Sequence, residues 1–272
     1  MRKLETTLRV TAMNELRTTL VQADLRWEEI ETNCQMLDEW LQDITASDLI
    51  VLPEMFATGF TMAPERLAET MEESRAVAWM KRAAESHGAV IAGSVAIREN
   101  AGYFNRLVWA RPDGSMVSYD KRHLFRMGEE HKHYGPGSER VIVELKGFRI
   151  LLTVCYDLRF PVWMRNVHNE YDAILCVANW PSSRRHAWRT LLQARALENL
   201  AYVIGVNRVG DDPRGLNYSG DSLLLDYRGE ALIDEAPWRP FTRTGVVSRQ
   251  GLESFREKFP AYLDADRFRL DT

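Results

Sequence analysis

The stretch LLTVCYDLRF, residues 151–160, is an apolar, strand-like run that stops at a cysteine and passes at once into polar and charged side chains. A structural cysteine usually has apolar neighbours on both sides. Cys155 instead sits where the hydrophobic pattern ends, next to Tyr156, Asp157 and Arg159. In α/β proteins, reactive side chains are presented at the carboxyl ends of strands. The stretch therefore predicts an α/β fold with chemistry at Cys155.

Strand and helix signals alternate on both sides of this stretch. Apolar runs bounded by turn residues predict strands over 16–24, 48–54, 89–97, 104–112, 115–121, 141–147, 148–155, 173–180, 201–209, 218–232 and 242–248. Apolar spacings of three and four, or a proline at a helix start, predict helices over 30–44, 66–86, 161–169 and 185–200. This alternation indicates sheets covered by helices on one face and by another sheet on the other.

Composition narrows the class of protein. The chain has 272 residues, 45% of them hydrophobic, and a net charge of -4, which does not favour a nucleic-acid or anionic membrane partner. No apolar run approaches the roughly 18 residues of a membrane helix, and the N-terminal segment lacks the apolar core of a signal peptide. Cys34, Cys155 and Cys176 are too few and too widely spaced for a disulfide framework or a structural zinc site. We expect a cytoplasmic protein, with Cys34 and Cys176 in the core.

Three predicted strand ends carry reactive side chains. Glu54 ends one strand, Lys121 follows another, and Cys155 follows a third. Taken singly, each has an ordinary structural explanation: a helix cap or surface charge, a solvated lysine, a buried thiol. Because strand ends can converge on one crevice, their shared position favours a common site.

Together these groups form a plausible acyl-transfer site. A thiol is mostly protonated at neutral pH and needs a base or a nearby cation. Glu54 would take the proton of Cys155, and Lys121 would stabilise the thiolate and then the oxyanion at the attacked carbonyl. The backbone N–H of Tyr156 would be a second oxyanion donor. No metal and no organic cofactor is required.

Histidines offer competing interpretations. A Cys–His hydrolase with His123 or His186 as base would leave Glu54 and Lys121 without a role. His131 and His133 lie in a loop without another clear block of metal ligands, so we interpret them as surface residues. No dinucleotide-binding or Walker motif is present in the sequence.

Three segments resemble the catalytic blocks of the nitrilase superfamily, also called carbon–nitrogen hydrolases. They are LPEMFATGF (52–60), YDKRHLF (119–125) and LLTVCYDLRFP (151–161), and they occur in that family's order. ANWP (178–181) and LLQARALEN (191–199) are also similar to family sequence, and the likeness runs from about Met13 to Phe268.

The resemblance implies a four-layer α-β-β-α sandwich. It implies one carbon–nitrogen hydrolase domain over 13–272, with a C-terminal arm from about 249 to 272 and an N-terminal extension over 1–12. Two protomers of this family usually pack helix layer to helix layer, often with crossing C-terminal arms, so a homodimer or a higher homo-oligomer is expected. The tail from residue 255 onward is too charged to be core, which suits such an arm.

The resemblance also implies site residues. Glu54 would be the general base, Lys121 the oxyanion stabiliser and Cys155 the nucleophile. A second glutamate is expected in the loop after the lysine, and Glu129 and Glu130 are both available; counting back from the Pro-Gly turn at 136–137 favours Glu130. Its implied role is to position the substrate and assist Lys121.

Two segments are most similar in sequence to the omega-amidase branch, namely CYDLRFPVW (155–163) and ANWPSSR (178–184). Those enzymes hydrolyse the distal amide of 2-oxoglutaramate or 2-oxosuccinamate to a 2-oxo acid and ammonia. The carboxylate of such a substrate calls for a cation, and Arg159, Arg184 and Arg185 are available, although Arg159 is more readily interpreted as part of a structural ion pair. Apolar pocket walls, or core packing instead, are expected of three aromatic residues: Phe56, Tyr134 and Trp180.

Alternatives to the omega-amidase interpretation remain open. An N-carbamoyl amino acid amidohydrolase, an aliphatic amidase or a nitrilase would share the same triad, so catalytic residues do not separate them. A catalytically silent binding protein on the same fold is a different class, and the intact Glu54, Lys121 and Cys155 argue against it.

Overall fold

The computed structural model describes residues 14–266 and 268–269, so the predicted extension over 1–12 lies outside the described residues. The helices are α1 (Ile30–Leu41), α2 (Pro64–Leu67), α3 (Arg75–His87), α4 (Arg185–Asn199) and α5 (Arg249–Lys258). The strands are β1 (Glu15–Gln22), β2 (Leu49–Val51), β3 (Val90–Glu99), β4 (Gly102–Ala110), β5 (Met116–Asp120), β6 (Ile142–Leu145), β7 (Phe148–Val154), β8 (Ala173–Ala178), β9 (Tyr202–Asn207), β10 (Val209–Asp211), β11 (Asn217–Ser219), β12 (Leu223–Leu225), β13 (Ala231–Asp234) and β14 (Phe241–Ser248).

Two six-stranded mixed sheets organise the molecule. The first has the order β14-β1-β2-β3-β4-β5, and the second has the order β13-β12-β9-β8-β7-β6. Neighbours are parallel along β1-β2-β3 and along β7-β8-β9, whereas the other pairs in each sheet are antiparallel. The two sheets with helices outside them confirm the predicted α-β-β-α sandwich.

In the short strand β2, successive side chains pack on opposite faces of the first sheet. Leu49 and Val51 pack into the cluster that joins the two sheets, and Ile50 packs into the cluster beneath α1 and α3. Successive side chains of a strand point to opposite faces, so a continuous apolar run suits a sheet that is covered on both sides. Cys34 lies in the outer cluster and Cys176 in the inner one, as expected of core residues.

Two predicted helices differ from the structure. The helix predicted over 66–86 begins only at Arg75, because Ser74 accepts a hydrogen bond from the Val77 N–H and caps it; it ends at His87 with Gly88 in the left-handed region, as its Gly signal indicated. The helix predicted over 161–169 is wrong. That segment forms turns, and the Asn166 N–H donates to the Asn199 side chain rather than to a preceding helical turn.

One charged residue of the tail, Arg256, is buried against its own chain, which the charge pattern does not predict. Arg256 on α5 is 6% exposed, and its guanidinium donates to Asp172 at 2.8 Å and to the Tyr171 carbonyl at 2.8 Å. The other charges from 257 to 266 lie at or near the surface. Among the described residues, no helix combines the length and apolarity needed to cross a bilayer.

Candidate active site

The ends of three strands meet at the seam between the two sheets. Glu54 lies three residues after β2 and Lys121 directly after β5, both in the first sheet. Cys155 lies directly after β7 in the second sheet. The structure therefore brings the three predicted residues together, because both sheets present these strand ends to the same place.

Glu54 and Lys121 form a buried ion pair. Lys121 Nζ donates to Glu54 Oε1 at 2.8 Å, and neither side chain has exposed surface. Asn105 on β4 donates to the same carboxylate oxygen at 2.7 Å, while the Asn179 N–H donates to Oε2 at 2.8 Å. These contacts orient the Glu54 carboxylate and satisfy it without water.

The structure distinguishes the two adjacent glutamates. Glu130 is fully buried, and its carboxylate lies 2.9 Å from Lys121 Nζ, accepts from Asn105 at 3.1 Å and accepts from the Phe125 N–H at 2.6 Å. Glu129 is exposed and pairs with Lys132. Of the two candidates, only Glu130 contacts the lysine.

The turn that carries Cys155 is sharply bent. Cys155 has φ of 47°, in the left-handed region that is uncommon for non-glycine residues, and it opens a short 3-10 turn over 155–159. Asp157 holds this turn, since its buried carboxylate accepts from the Val154 N–H at 2.9 Å and from the Tyr119 hydroxyl at 2.8 Å. The backbone N–H of His123 donates to Asp157 Oδ1 at 2.9 Å, and the ring Nδ1 of His123 lies 2.8 Å from the same oxygen.

Burial and neighbouring charges set the protonation states. Burial raises the pKa of the Cys155 thiol well above its ordinary value, Glu54 raises it further through its charge and a hydrogen bond, and Lys121 opposes them. Burial alone would lower the pKa of Lys121, but the charges of Glu130 and Glu54 outweigh it and hold that pKa well above its usual range. Burial raises the pKa of Glu130 against the opposing effect of Lys121. The resting arrangement is a neutral thiol beside a charged lysine.

A cavity of about 320 Å³ opens beside the nucleophile. Its walls are mostly aromatic or aliphatic, with three arginines among the polar members, and they comprise Phe60, Phe125, Met127, Gly128, Cys155, Tyr156, Arg159, Asn179, Trp180, Pro181, Arg184, Arg214, Leu216 and Tyr218. A cavity of this size and character suits a small ligand with a few polar groups.

Of the three aromatic residues predicted as pocket walls, one lines the cavity and two do not. Trp180 lines the cavity. Phe56 and Tyr134 do not: Phe56 packs against Trp79 with ring centroids 5.5 Å apart, and the Tyr134 hydroxyl donates to the Thr61 carbonyl at 3.0 Å. For both residues the core-packing alternative describes the structure, because their side chains lie behind the site rather than on its wall.

Of the three arginines considered as carboxylate ligands, two line the cavity and one does not. Arg184 lines the cavity, whereas Arg185 is bound to Asp221 through Nε at 3.0 Å and through a second guanidinium nitrogen. Arg159 forms no ion pair with any of the described residues, so the interpretation of Arg159 as part of a structural ion pair is wrong. Its exposed guanidinium lies 5.0 Å from the Trp180 ring centroid, on the cavity wall.

The histidines that offered a competing base are engaged elsewhere or remote. His123 contacts Asp157 and stacks on Phe160 with ring centroids 3.7 Å apart. His186 is exposed on α4. Within the described residues, the ionisable groups with the largest effects on the pKa of the Cys155 thiol are Glu54, Lys121 and the buried Cys176, and none of these is a histidine.

Several site residues escaped the sequence reasoning, among them Asn105, Asn179, Phe60 and Arg214. Two of them left a signal in the sequence. Asn179 stands inside the quoted ANWP segment, and Asn105 is a polar residue in an otherwise apolar strand pattern. Phe60, whose ring centroid lies 5.2 Å from Lys121 Nζ, ends the first quoted block, while Arg214 sits in the β10–β11 loop and carries no local signal.

Comparison with known proteins places this geometry in context. The family described as Carbon-nitrogen hydrolase matches residues 17–257. The chain is 49% identical over 259 residues to Omega-amidase YafV of Escherichia coli (strain K12), covering 95% of this chain and 100% of that protein. It is 35% identical over 223 residues to the 2-oxoglutaramate amidase of Bacillus subtilis (strain 168), covering 80% and 85% respectively.

A solved structure shares the fold closely. XC1258 from Xanthomonas campestris, a CN-hydrolase superfamily protein with an arsenic adduct in its active site, superposes with a TM-score of 0.92. The two chains are 45% identical, and the match covers 94% of this chain and 99% of that one.

Proposed function

Since the chain belongs to the carbon–nitrogen hydrolase family and is a hydrolase of carbon–nitrogen bonds, we propose that it is an omega-amidase. It would cleave the distal amide of a small 2-oxo dicarboxylic acid monoamide, 2-oxoglutaramate or 2-oxosuccinamate, to the 2-oxo acid and ammonia. The observation that carries the proposal is the buried Glu54–Lys121–Glu130 cluster beside Cys155, at the wall of a small cavity. The similarity to two amidases of this type, over most of each chain, supports the substrate class.

The first half of the proposed reaction forms a thioester. Glu54 takes the thiol proton of Cys155, and the sulfur attacks the amide carbon. Lys121 Nζ and the backbone N–H of Tyr156 stabilise the oxyanion. The carbon–nitrogen bond then breaks, and ammonia leaves with the proton that Glu54 returns. Glu130 holds Lys121 in place through this sequence.

The second half hydrolyses the thioester. Glu54 takes a proton from water, the oxygen attacks the acyl carbon, and the same donors stabilise the second oxyanion. The carbon–sulfur bond breaks, the sulfur regains a proton through Glu54, and the 2-oxo acid leaves. Every proton that enters or leaves the sulfur passes through one carboxylate, which the orientation of Glu54 by Asn105 and Asn179 supports.

Further features belong to this proposal. Trp180 and Arg184 would contact the substrate, because both line the cavity. The segment 13–272 would form one domain, acting without a cofactor as a cytoplasmic homodimer. Size-exclusion chromatography with light scattering tests the assembly, and a monomeric mass would contradict it.

The proposed activity is tested by ammonia release from 2-oxoglutaramate, with glutamine, an N-carbamoyl amino acid and a simple nitrile alongside. We expect selective turnover of the 2-oxo amide by the wild type and none by Cys155→Ala. Cys34→Ala is the matched control, because Cys34 is also a buried thiol but lies in the outer cluster. Preference for another of these compounds would assign a different reaction of the family, and full activity in Cys155→Ala would overturn the mechanism.

A further inference from the structure

Three guanidinium groups line the cavity beside the nucleophile: Arg159, Arg184 and Arg214. Arg214 is partly neutralised, because it lies 3.4 Å from the buried Asp212 carboxylate and also donates to the Phe60 carbonyl at 3.1 Å. Over residues 14–266 and 268–269, neither Arg159 nor Arg184 contacts a carboxylate. The cavity wall therefore carries two positive charges without a protein counter-charge.

Such pairing is common for arginines elsewhere in this chain. Arg106 binds Asp120, Arg149 and Arg256 bind Asp172, and Arg185, the neighbour of Arg184, binds Asp221. Arginine stays charged at all ordinary pH values, so a guanidinium without a carboxylate keeps its charge available to a ligand. Two such guanidiniums lie on the wall of one cavity, where an anionic group of a ligand can reach both.

Aromatic side chains hold both guanidiniums at the wall. Arg159 Cζ lies 5.0 Å from the Trp180 ring centroid, and Arg184 Cζ lies 5.2 Å from the Phe125 ring centroid. Trp180 connects them, since its indole N–H donates to the Arg184 carbonyl at 2.9 Å and its backbone N–H donates to Asn207 at 2.8 Å. A cation over an aromatic face is attracted to it without losing its outward N–H donors, so both groups are oriented before a ligand binds.

The charges at the two ends of the site differ in sign. The buried cluster has one ammonium, Lys121, between two carboxylates, Glu54 and Glu130, and so carries a net negative charge when all three are ionised. The cavity wall carries the positive charges of Arg159 and Arg184. An anionic end of a ligand is repelled by the first and attracted by the second, which selects one orientation.

We propose that Arg159 and Arg184 together form the receptor for the carboxylate of the substrate, the end of the molecule opposite the amide. This inference rests on the proposed function. Guanidinium groups bind carboxylates through paired N–H donors, and the aromatic walls accommodate the methylene groups between the two ends. The amide is thereby directed towards Cys155, so these arginines select amides that carry a distal carboxylate.

The test compares 2-oxoglutaramate with 4-oxopentanamide, in which a methyl group replaces the carboxylate. For Arg159→Gln and Arg184→Gln we expect the KM for 2-oxoglutaramate to rise about tenfold or more, equivalent to about 1.4 kcal/mol, and kcat to change far less. Turnover of 4-oxopentanamide should be unaffected. The double variant should lose most of the wild-type preference for the anionic amide.

Arg228→Gln is the matched control. Arg228 is also an exposed guanidinium over aromatic rings, 5.7 Å from the Tyr227 centroid and 5.4 Å from that of Phe255, but it lies outside the cavity. Its removal lowers the net charge equally and should leave both KM values unchanged, which separates local recognition from long-range attraction.

Two results would overturn the inference while leaving the proposed function intact. One is a wild-type enzyme that hydrolyses 2-oxoglutaramate while the single and double arginine variants retain its KM; the other is an equal loss on both amides in those variants. A folded wild type that turns over neither amide would instead overturn the proposed function, and the carboxylate receptor with it.

Discussion

Lys121 Nζ lies 2.8 Å from Glu54 Oε1 with both side chains excluded from water, and a second carboxylate, Glu130, contacts the same ammonium. This sharing has a consequence for proton transfer. When Glu54 takes the proton of Cys155, one buried negative charge disappears and another forms on sulfur, close to Lys121. The total buried charge is unchanged, so the transfer avoids the desolvation penalty of creating a new ion.

Replacement of Glu54 by Gln should remove most of the activity while keeping the fold. The amide has nearly the same shape, but it cannot accept the thiol proton. General-base catalysis typically contributes on the order of 10²–10⁴-fold, so we expect kcat/KM for the preferred amide to fall by about that factor. Steady-state kinetics measures the loss, and circular dichroism melting checks the fold. A folded variant with more than about a tenth of the wild-type rate would show that another group takes the proton.

The adjacent glutamates provide a matched pair of variants. Glu130→Gln removes a buried charge that contacts Lys121, so we expect kcat to fall by about tenfold or more, in the range seen when an electrostatic contact of an active site is lost. Glu129→Gln removes only an exposed charge that pairs with Lys132 and should leave kcat unchanged. Both variants are assayed side by side with the wild type. Equal effects of the two substitutions would refute the assignment of Glu130.

The reactivity of Cys155 towards iodoacetamide should keep rising at alkaline pH. Burial and Glu54 raise the pKa of this thiol well above its ordinary value, so the thiolate fraction still increases at a pH where an ordinary thiol is fully ionised. Burial also raises the pKa of Cys34 and Cys176, each to about 12, which keeps their background labelling low.

Intact-protein mass spectrometry over pH 7–10 measures this profile. Cys155→Ala is the control that identifies the labelled thiol, and circular dichroism at each pH confirms that the protein is still folded. A labelling rate that reaches a plateau below about pH 8 would mean that the thiolate is stabilised, contrary to the geometry described above.

A fourth prediction concerns stability. Burial alone would raise the pKa of Asp172, but hydrogen bonds from Arg149 and the charges of Arg149 and Arg256 outweigh it and lower that pKa below its ordinary value. The ionised form is therefore favoured by folding, and its contribution is present at neutral pH and lost as pH falls through the folded-state pKa. Asp172→Asn should lower the free energy of unfolding by about 3 kcal/mol at pH 7, because two arginines lose their partner.

Urea unfolding at several pH values tests whether the stabilisation by Asp172 is lost as the pH falls. The difference between wild type and Asp172→Asn should be largest near pH 7 and should shrink below about pH 4, where the wild-type carboxylate begins to gain a proton. A difference that stays constant down to pH 2 would mean that packing, not charge, accounts for the loss.

Local patterns predicted the elements of the fold well wherever one residue type marks an end. Gly88 correctly marks the end of α3, and Lys146-Gly147 correctly marks the turn of the β6–β7 hairpin. The proline at 161 was misleading, because a proline suits the first position of a helix but does not itself make one form, and the polar groups that follow bind α4 instead. Such long-range partners leave no trace in the local sequence.

In the candidate site, too, local sequence identified some residues, while the positions of others depend on long-range contacts. Glu54, Lys121 and Cys155 were accessible to sequence reasoning because each lies at or just beyond the end of a strand, and strand ends meet at one edge. Asn105 stands out only as a polar residue in a strand, and its contact with Glu54 depends on strand register. Arg214 was not accessible, since its position depends on how the β10–β11 loop folds over the cavity. Phe56 and Trp180 look alike in the sequence, and only the packing of sheets and helices decides which of them faces the ligand.

The position of Cys155 on one sheet, with Glu54 and Lys121 on the other, has a consequence for the protein during its synthesis. A growing chain in which only β1 to β5 have formed holds the base and the lysine but no nucleophile, and β14 completes the first sheet only after the whole second sheet has been synthesised. The nucleophile gains its base only when the second sheet has packed onto the first, and Asn179 completes the cradle of Glu54 from that second sheet. The reactive set is thus assembled when the two sheets pack together, and a chain whose sheets have not packed holds Cys155 apart from Glu54 and Lys121.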